Sequence, residues 1–296
     1  MFDSIAGDYD SLNHILSLDV DKIWRKKALK AIVDAPAPVE VLDLACGTGD
    51  FSIAIAKALR KRHPDKLGDR RKPVAEVAEL VEAPVEAPTE VPDASVAVVR
   101  HAHQPVEAPG ETSDFPVTST SSVTRKSVTG KSPSGHVTGV DLSEGMLAVM
   151  REKVSKAGLT EMISIEEGDG ENLRFPDNTF DRVTIAFGIR NFEDREKGLR
   201  EMRRVLKPGG RLVLLELSRP ENKVIRWFYD LYFLHILPKI GGKVSGDKAA
   251  YAYLPASVAA FPGKKQFTAT MRSAGFQSVT HKALTLGICR MYTGEK

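Results

Sequence analysis

The sequence lacks the features that mark secreted and membrane proteins. Cys46 and Cys289 are the two cysteines among 296 residues, too few for a disulfide framework and typical of a reducing compartment. No basic segment precedes an apolar one at the amino terminus, so no secretory signal is predicted. The longest apolar run, 227–240, contains Asp230 and Pro238 and falls short of the roughly 20 residues of a membrane span. We therefore predict a soluble, cytoplasmic protein.

A dominant charge of one sign is also missing. Lysine and arginine total 42 and aspartate and glutamate total 39, which leaves a formal net charge of +3. This balance provides no general attraction for nucleic acid, so no nucleic-acid partner is expected. Hydrophobic residues make up 42% of the chain, enough for a sizeable core.

The composition changes abruptly over residues 62–133. Proline, glutamate, valine and alanine dominate its first half, serine and threonine its second, and no hydrophobic period is sustained. Such a segment buries too little apolar surface to offset its ordering entropy, so we predict a long disordered insert. It is either an interaction tether or a tolerated loop expansion, since loop-closure entropy grows slowly with length.

Outside the insert, apolar strands alternate with amphipathic helices. This alternation predicts one α/β domain, 1–61 with 134–296, built on a doubly wound, mostly parallel, seven-stranded Rossmann-like sheet behind an amino-terminal helical segment. Predicted strands cover 39–45, 136–142, 163–169, 180–187 and 211–217, with a final pair at 276–284 and 287–294. Predicted helices cover 11–33, 50–59, 143–158, 195–206 and 264–274, and a turn is predicted at 207–210.

A glycine-rich loop follows the first predicted strand, in the stretch VEVLDLACGTGDFS at 39–52. Gly47 and Gly49 match the first two glycines of a dinucleotide-binding loop, but Ser52 takes the place of the third. The charge of Asp43 would repel a pyrophosphate. It suits a cofactor that carries an ammonium group and no phosphate, such as S-adenosylmethionine.

Two further acids stand at the ends of later strands. Asp141 lies 92 residues after Gly49, but removing the 72 residues of the insert leaves the spacing of about 20 expected for a ribose-binding acid. Asp169 follows the next strand, where its side chain and the Gly170 amide can meet an adenine edge. Taken singly, each acid can instead be a loop cap. The predicted cofactor contacts are Asp43, Gly47, Thr48, Gly49, Asp141, Asp169 and Gly170.

Four separated stretches, 9–24, 186–194, 204–218 and 253–262, resemble the C-methyltransferases of quinone biosynthesis, a family of class I S-adenosylmethionine-dependent methyltransferases. The resemblance implies C-methylation of a polyprenylated quinol. The form of 253–262 favours demethylmenaquinol, and the benzoquinol of ubiquinone synthesis is the alternative. The family usually has histidine or glutamine where this sequence has Asp21, and the insert is not part of its pattern.

The stretch AFGIRNFED at 186–194 holds the predicted catalytic residues Arg190 and Asn191. Arginine is almost always protonated, so Arg190 suits a phenolate stabiliser, while the resembled family implies base chemistry through water. The alternative for Arg190 is a structural ion pair with Asp194 or Glu193.

Tyr9 and Asp10 are predicted to close over the methyl donor, or else to cap a helix. The apolar segment 224–238 can cover a prenyl chain, lie on a membrane surface, form a homodimer face, or be core. A non-catalytic assembly protein of the same fold is the rival to an enzyme. An NAD-linked oxidoreductase is disfavoured by Ser52 and Asp43, and no metal site is predicted.

Overall fold

A twisted sheet with helices on both faces forms the body of the protein. The computed structural model describes residues 20–36, 38–62, 135–232 and 248–296, all within one compact unit of the chain. Tyr9, Asp10 and the predicted insert beyond Arg62 lie outside these ranges. In chain order the elements are α1 (Val20–Val33), β1 (Val39–Leu44), α2 (Asp50–Arg62), β2 (Gly135–Asp141), α3 (Glu144–Lys156), β3 (Ile163–Glu167), β4 (Phe180–Ala186), α4 (Arg195–Val205), β5 (Leu206–Leu217), α5 (Lys223–Asp230), α6 (Lys248–Ala260), α7 (Lys264–Ser273), β6 (Gln277–Leu284) and β7 (Cys289–Glu295).

The strand order places a crevice at the middle of the sheet. Within the described residues the seven strands run β3-β2-β1-β4-β5-β7-β6. Strands β1 to β5 pair in parallel, and β7 is antiparallel to both of its neighbours. The chain moves outward from β1 to β3 and then crosses to the other side of β1. Ligands bind at the carboxyl ends of the strands at such a reversal, here between β1 and β4. The predicted fold class is confirmed.

Alternation along the central strands divides the core between the two faces of the sheet. Val41 and Val213 face one layer, which includes buried residues of α1, α2 and α3. Leu42 and Leu212 face the other, which is covered by α4 and α7. Successive strand residues point to opposite faces, and a sheet with helices on both sides buries both sets.

Polar residues begin three of the helices. The Oγ of Ser143 accepts from the Met146 amide, so Ser143 is the N-cap of α3. Asp194 accepts from the Lys197 amide at the start of α4. Asn222 accepts from two amides at the start of α5 and so fixes where this apolar helix begins.

The predicted turn at 207–210 is wrong. Residues 207–210 form an irregular part of β5, because the register with β4 jumps from Phe180 opposite Leu206 to Arg182 opposite Arg211. Helix α6 was not predicted, since Pro255 inside it disguises its period.

Candidate active site

The glycine loop turns the chain sharply after β1. Ala45, Gly47 and Gly49 all have positive φ, and a β-carbon at Gly49 would collide with the Met150 side chain. Phe187, directly after β4, also has a positive φ of 63°. Non-glycine residues in this conformation are strained, and such strain clusters at functional sites. Ala45, after β1, and Phe187, after β4, therefore lie on the two sides of the crevice.

Asp43 is buried at 1% exposure beneath the loop. Its carboxylate accepts a 2.6 Å hydrogen bond from the Ser52 hydroxyl, in the first turn of α2. Burial raises the pKa of Asp43 to about 7, and the hydrogen bond from Ser52 opposes this shift. Against the dinucleotide-binding pattern Ser52 is only a missing glycine, yet a serine on the buried face of a predicted helix, nine residues after a strand acid, was a signal for this pair.

Asp141 links the glycine loop to α3. One carboxylate oxygen accepts from the Gly47 amide at 2.8 Å, and the other accepts from the Ser143 amide at 3.0 Å. The predicted ribose-binding acid therefore lies beside the glycine loop, as the restored spacing of 20 residues implies. Its two acceptors fix the loop and the helix start on either side of the crevice.

A cavity of about 330 Å³ opens beside Asp141. Asp169 and Gly170 line it, and Asp169 accepts a 2.8 Å hydrogen bond from the Glu171 amide. A β-carbon at Gly170 would crowd the ring of Phe192, so this wall is closely packed. The structure thus brings Gly47, Asp141, Asp169 and Gly170 to one cavity.

A second cavity of about 490 Å³ meets the first at four shared residues. Those shared residues are Ala45, Gly47, Ala186 and Phe187. The polar part of the lining of the larger cavity, here called the polar wall, comprises Asp21, Arg25, Asp43, Thr48 and Asp50. The apolar part, here called the apolar wall, comprises Leu217, Ile225, Phe228, Tyr229, Tyr232, Leu254, Leu286 and Ile288. Arg190 lines the same cavity, so charged and apolar groups share one space.

Arg190 forms an ion pair with Glu216, a different partner from the Asp194 or Glu193 of the alternative interpretation. The Arg190 Nη1 donates to Glu216 Oε1 at 2.8 Å and also to the Phe187 carbonyl oxygen. Glu216 Oε2 accepts from the Arg190 amide at 3.2 Å. The sequence showed an acid at the end of an apolar strand but not its partner, because 26 residues separate them.

Asn191 is hydrogen-bonded to a residue of α6. Its Oδ1 accepts a 2.8 Å hydrogen bond from the Tyr253 hydroxyl. Asn191 lines the smaller cavity, and Leu254, which follows Tyr253 on α6, lines the larger one. Through Tyr253 and Leu254, helix α6 therefore contacts the region where the two cavities meet. Helix α6, which the sequence did not predict, therefore forms part of the site.

Helix α1 also contributes residues to the lining of the larger cavity. The Trp24 indole donates to Thr285 Oγ1 at 2.8 Å and its ring packs 5.9 Å from that of Phe187. Asp21, at 4% exposure, shares the buried stripe of α1 with Trp24. An acid inside an apolar stripe was the signal that Asp21 faces something polar.

The chemistry of the lining suits a cationic nucleoside. Carboxylates of Asp43 and Asp141 flank the glycine loop, where a phosphate would be repelled. Ribose hydroxyls and an ammonium group are the natural partners of such acids. Among the described residues, no group of three side chains has the arrangement of a metal site.

Comparison with known proteins agrees with this geometry. The model of the ubiE/COQ5 methyltransferase family matches residues 1–82 and 94–296. Demethylmenaquinone methyltransferase of Bacteroides fragilis is 36% identical over all of this chain and 91% of its own length. The ubiquinone/menaquinone biosynthesis C-methyltransferase UbiE of Geobacter sulfurreducens is 39% identical over all of this chain and 87% of its own length.

Solved structures share the fold at low identity. An S-adenosylmethionine-dependent methyltransferase of Thermotoga maritima, described as a possible histamine N-methyltransferase, aligns with a TM-score of 0.53 at 14% identity, over 100% of this chain and 97% of the other. The cyclase SpnF aligns with a TM-score of 0.53 at 15% identity, over 92% and 80% of the two chains. One fold thus carries different chemistries, and the site has to distinguish them.

Proposed function

Because the chain belongs to the ubiE/COQ5 methyltransferase family, we propose that it transfers a methyl group from S-adenosylmethionine to a ring carbon of a polyprenylated demethylnaphthoquinol, yielding menaquinol from demethylmenaquinol. The observation that carries the proposal is the cavity of about 490 Å³, which joins the polar wall beside the glycine loop to the apolar wall. A methyl donor and an apolar methyl acceptor need such a shared space, because the methyl group passes directly from one to the other.

The cofactor would lie across the two cavities. Asp141 suits the ribose hydroxyls, and Asp169 with the Gly170 amide suits the adenine edge. Gly47 and Thr48, which line the larger cavity, let the chain approach the centre of the cofactor closely, and Gly49 packs the loop against Met150 on α3. When bound, S-adenosylmethionine supplies a methyl group already activated by its sulfonium, so the protein's share of the work is placement and exclusion of water.

Arg190 is proposed to stabilise the phenolate of the quinol. A ring carbon becomes a better nucleophile when the neighbouring hydroxyl loses its proton, and the permanently charged guanidinium favours that charge. Glu216 and the Phe187 carbonyl orient Arg190 on the cavity wall. Asn191 and Tyr253 are proposed to align the acceptor ring at the junction. Tyr9 and Asp10 remain proposed as closing residues.

The prenyl chain is proposed to leave through the apolar wall toward a membrane surface. Val224, Trp227, Phe228 and Leu231 on and after α5 are all exposed, at spacings that place them on one helical face. Phe228 and Leu286 are exposed and also line the cavity, so the cavity opens directly onto this face. In the described parts of the chain, no helix combines the length and apolarity needed to cross a bilayer.

Such a face suits peripheral contact with the inner leaflet of the membrane, where a polyprenylated substrate resides. Sedimentation with anionic vesicles tests it. Trp227→Ser should lower the bound fraction several-fold, while Lys265→Ser, on a different helix, should not. Equal binding of both variants, or vesicle-independent self-association through this face, would refute the membrane contact.

The enzymatic test uses the purified full chain with S-adenosylmethionine and reduced demethylmenaquinone, with mass spectrometry of the quinone product. Methylated naphthoquinone is expected. Preferential methylation of the corresponding polyprenyl benzoquinol would favour the ubiquinone pathway, which the name of the Geobacter sulfurreducens relative also includes. No calorimetric binding of S-adenosylmethionine at millimolar concentration would instead favour a non-catalytic role.

A further inference from the structure

Arg195 occupies a position that is unfavourable for an arginine. It is the first residue of α4, directly after the N-cap Asp194. A positive charge is disfavoured at the amino end of a helix, where the free amide groups already carry partial positive charge. The Arg195 Nε is also buried, with no hydrogen-bond partner in the described part of the chain. Neither feature favours the folded state, so the contacts of the guanidinium have to account for its placement.

The first contact of Arg195 is with the turn that carries the proposed catalytic arginine. Its Nη2 donates a 3.0 Å hydrogen bond to the carbonyl oxygen of Arg190, five residues earlier. The amide of Arg190 donates to Glu216 Oε2 at 3.2 Å. Both backbone groups of Arg190 are therefore bound by side chains, within the single helical turn Ile189–Asn191.

The second contact of Arg195 is with Phe261, which follows directly after α6. The central carbon of the guanidinium lies 5.8 Å from the centroid of the Phe261 ring, within the range of a cation–π interaction. Phe261 is buried. Helix α6 also contacts the turn through the Tyr253 hydroxyl, which donates to Asn191. The segment 253–261 is thus joined to Asn191 directly and to Arg190 through Arg195.

We propose that Arg195 is a positioning residue for methyl transfer, which places the Arg190 guanidinium against the acceptor by binding the Arg190 carbonyl. This assignment rests on the proposed function, in which Arg190 stabilises the phenolate. Arg190 lines the larger cavity, and Arg195 lines neither of the two described cavities, so Arg195 acts through Arg190. A shift of the Arg190 backbone would move its guanidinium relative to the acceptor, and a displacement of about 1 Å can lower a rate by on the order of 100-fold.

A purely structural Arg195 would join α4 to Phe261 and nothing more. The two roles differ in how a substitution of Arg195 depends on Arg190. Loss of a structural contact would lower turnover by the same factor whether or not Arg190 were present. Loss of a residue that acts through Arg190 lowers turnover only while the Arg190 guanidinium is there, so the two substitutions are not additive.

The experiment measures single-turnover methylation of reduced demethylmenaquinone by the full chain, with a labelled methyl group on S-adenosylmethionine so that slow variants are measurable. Arg195→Met should lower the rate about 10- to 100-fold and leave the calorimetric affinity for S-adenosylmethionine within about twofold. Added to Arg190→Met, the same substitution should change the rate by less than about twofold. Arg200→Met, at an exposed position of α4 whose guanidinium pairs with Glu196, is the matched control and should keep the parent rate.

An equal loss of rate with and without Arg190, or a normal rate in Arg195→Met, would overturn the assignment. If Arg195→Met does not fold, Arg195→Lys serves in its place, since it keeps the charge beside Phe261 and loses the planar fork. Its loss of rate should be smaller and should again require Arg190. A normal rate in Arg190→Met would refute the role of Arg190 and the assignment with it. Absence of methylation by the parent protein would refute the proposed function itself, so the failures are distinguishable.

Discussion

Arg190, which lines the larger cavity, forms a buried ion pair with Glu216. The side chain of Arg190 is 9% exposed and that of Glu216 is fully buried. Glu216 Oε1 also accepts from the Leu217 amide at 2.8 Å, so a backbone group of β5 fixes the carboxylate that binds the arginine. Removing one member of such a pair leaves an uncompensated buried charge.

Glu216→Gln should therefore destabilise the protein by roughly 3 kcal/mol and lower turnover, because Arg190 loses its charged anchor. Urea denaturation gives the first quantity and quinone methylation the second. Affinity for S-adenosylmethionine should change little, since the pair lies on the acceptor side. A large loss of cofactor affinity with normal turnover would contradict this division.

The double variant Arg190→Met with Glu216→Gln tests the coupling. It should be more stable than the sum of the two single losses implies, because neither charge is left alone. Turnover should stay low, since the phenolate has lost its cation. Additive losses of stability would mean that the two side chains do not depend on each other.

The buried Asp43 predicts a dependence of stability on pH. Its pKa is raised from 3.8 to about 7, so between these values the folded protein keeps a proton that the unfolded chain has lost. The free energy of unfolding should therefore fall as the pH rises through this window. Asp43→Asn lacks this fall and keeps an acceptor for Ser52. Its stability relative to the parent should rise by on the order of 3–4 kcal/mol from pH 4 to pH 7.5. Parallel stability curves would contradict the burial-raised pKa.

Ser52→Ala should destabilise the protein by about 1–3 kcal/mol, because the buried Asp43 carboxyl loses its hydroxyl donor. Ser52→Gly restores the glycine of a dinucleotide loop without a donor and should be at least as unstable. Thermal unfolding of both variants provides the measurement. Full stability of either would show that Asp43 does not need Ser52.

Asp141→Ala should weaken both S-adenosylmethionine and 5′-methylthioadenosine, by about 100-fold, because the proposed contact is with the ribose that both share. The loss of the Gly47 and Ser143 contacts adds to the effect. Asp141→Asn keeps an acceptor and should retain more affinity. A loss of affinity for S-adenosylmethionine alone would contradict the ribose contact, because 5′-methylthioadenosine carries the same ribose.

The insert is predicted to be dispensable. Leu59, in the last turn of α2, packs where a β-carbon of Gly135 at the start of β2 would lie, so the two ends are close. Connections between a helix and a strand commonly need 2–6 residues. Replacing 63–134 with a short Gly-Ser linker should preserve folding and methylation, as judged by unfolding and product formation. An unfolded variant would refute the prediction.

The sequence predicted the order of strands and helices because most of the information is local. Period, caps such as Ser143, and the spacing to Asp141 are all readable along the chain. The buried positions of Ser52 and Asp21 were signals in the sequence that each meets a polar group, but the pairing of Glu216 with Arg190 was not readable, since 26 residues separate them. Helix α6 was not predicted because Pro255 and the alanines of this helix give it no clear amphipathic period.

The hydrogen bond between Trp24 and Thr285 has a consequence for synthesis of the chain. These residues are 261 positions apart, so α1 leaves the ribosome long before Thr285, which anchors it. A nascent chain ending at β5 already carries the glycine loop and Asp141. It also carries α2 and β5, on which α1 packs, but it lacks Thr285, so the hydrogen bond of Trp24 at the crevice forms only once the carboxyl-terminal hairpin has been made.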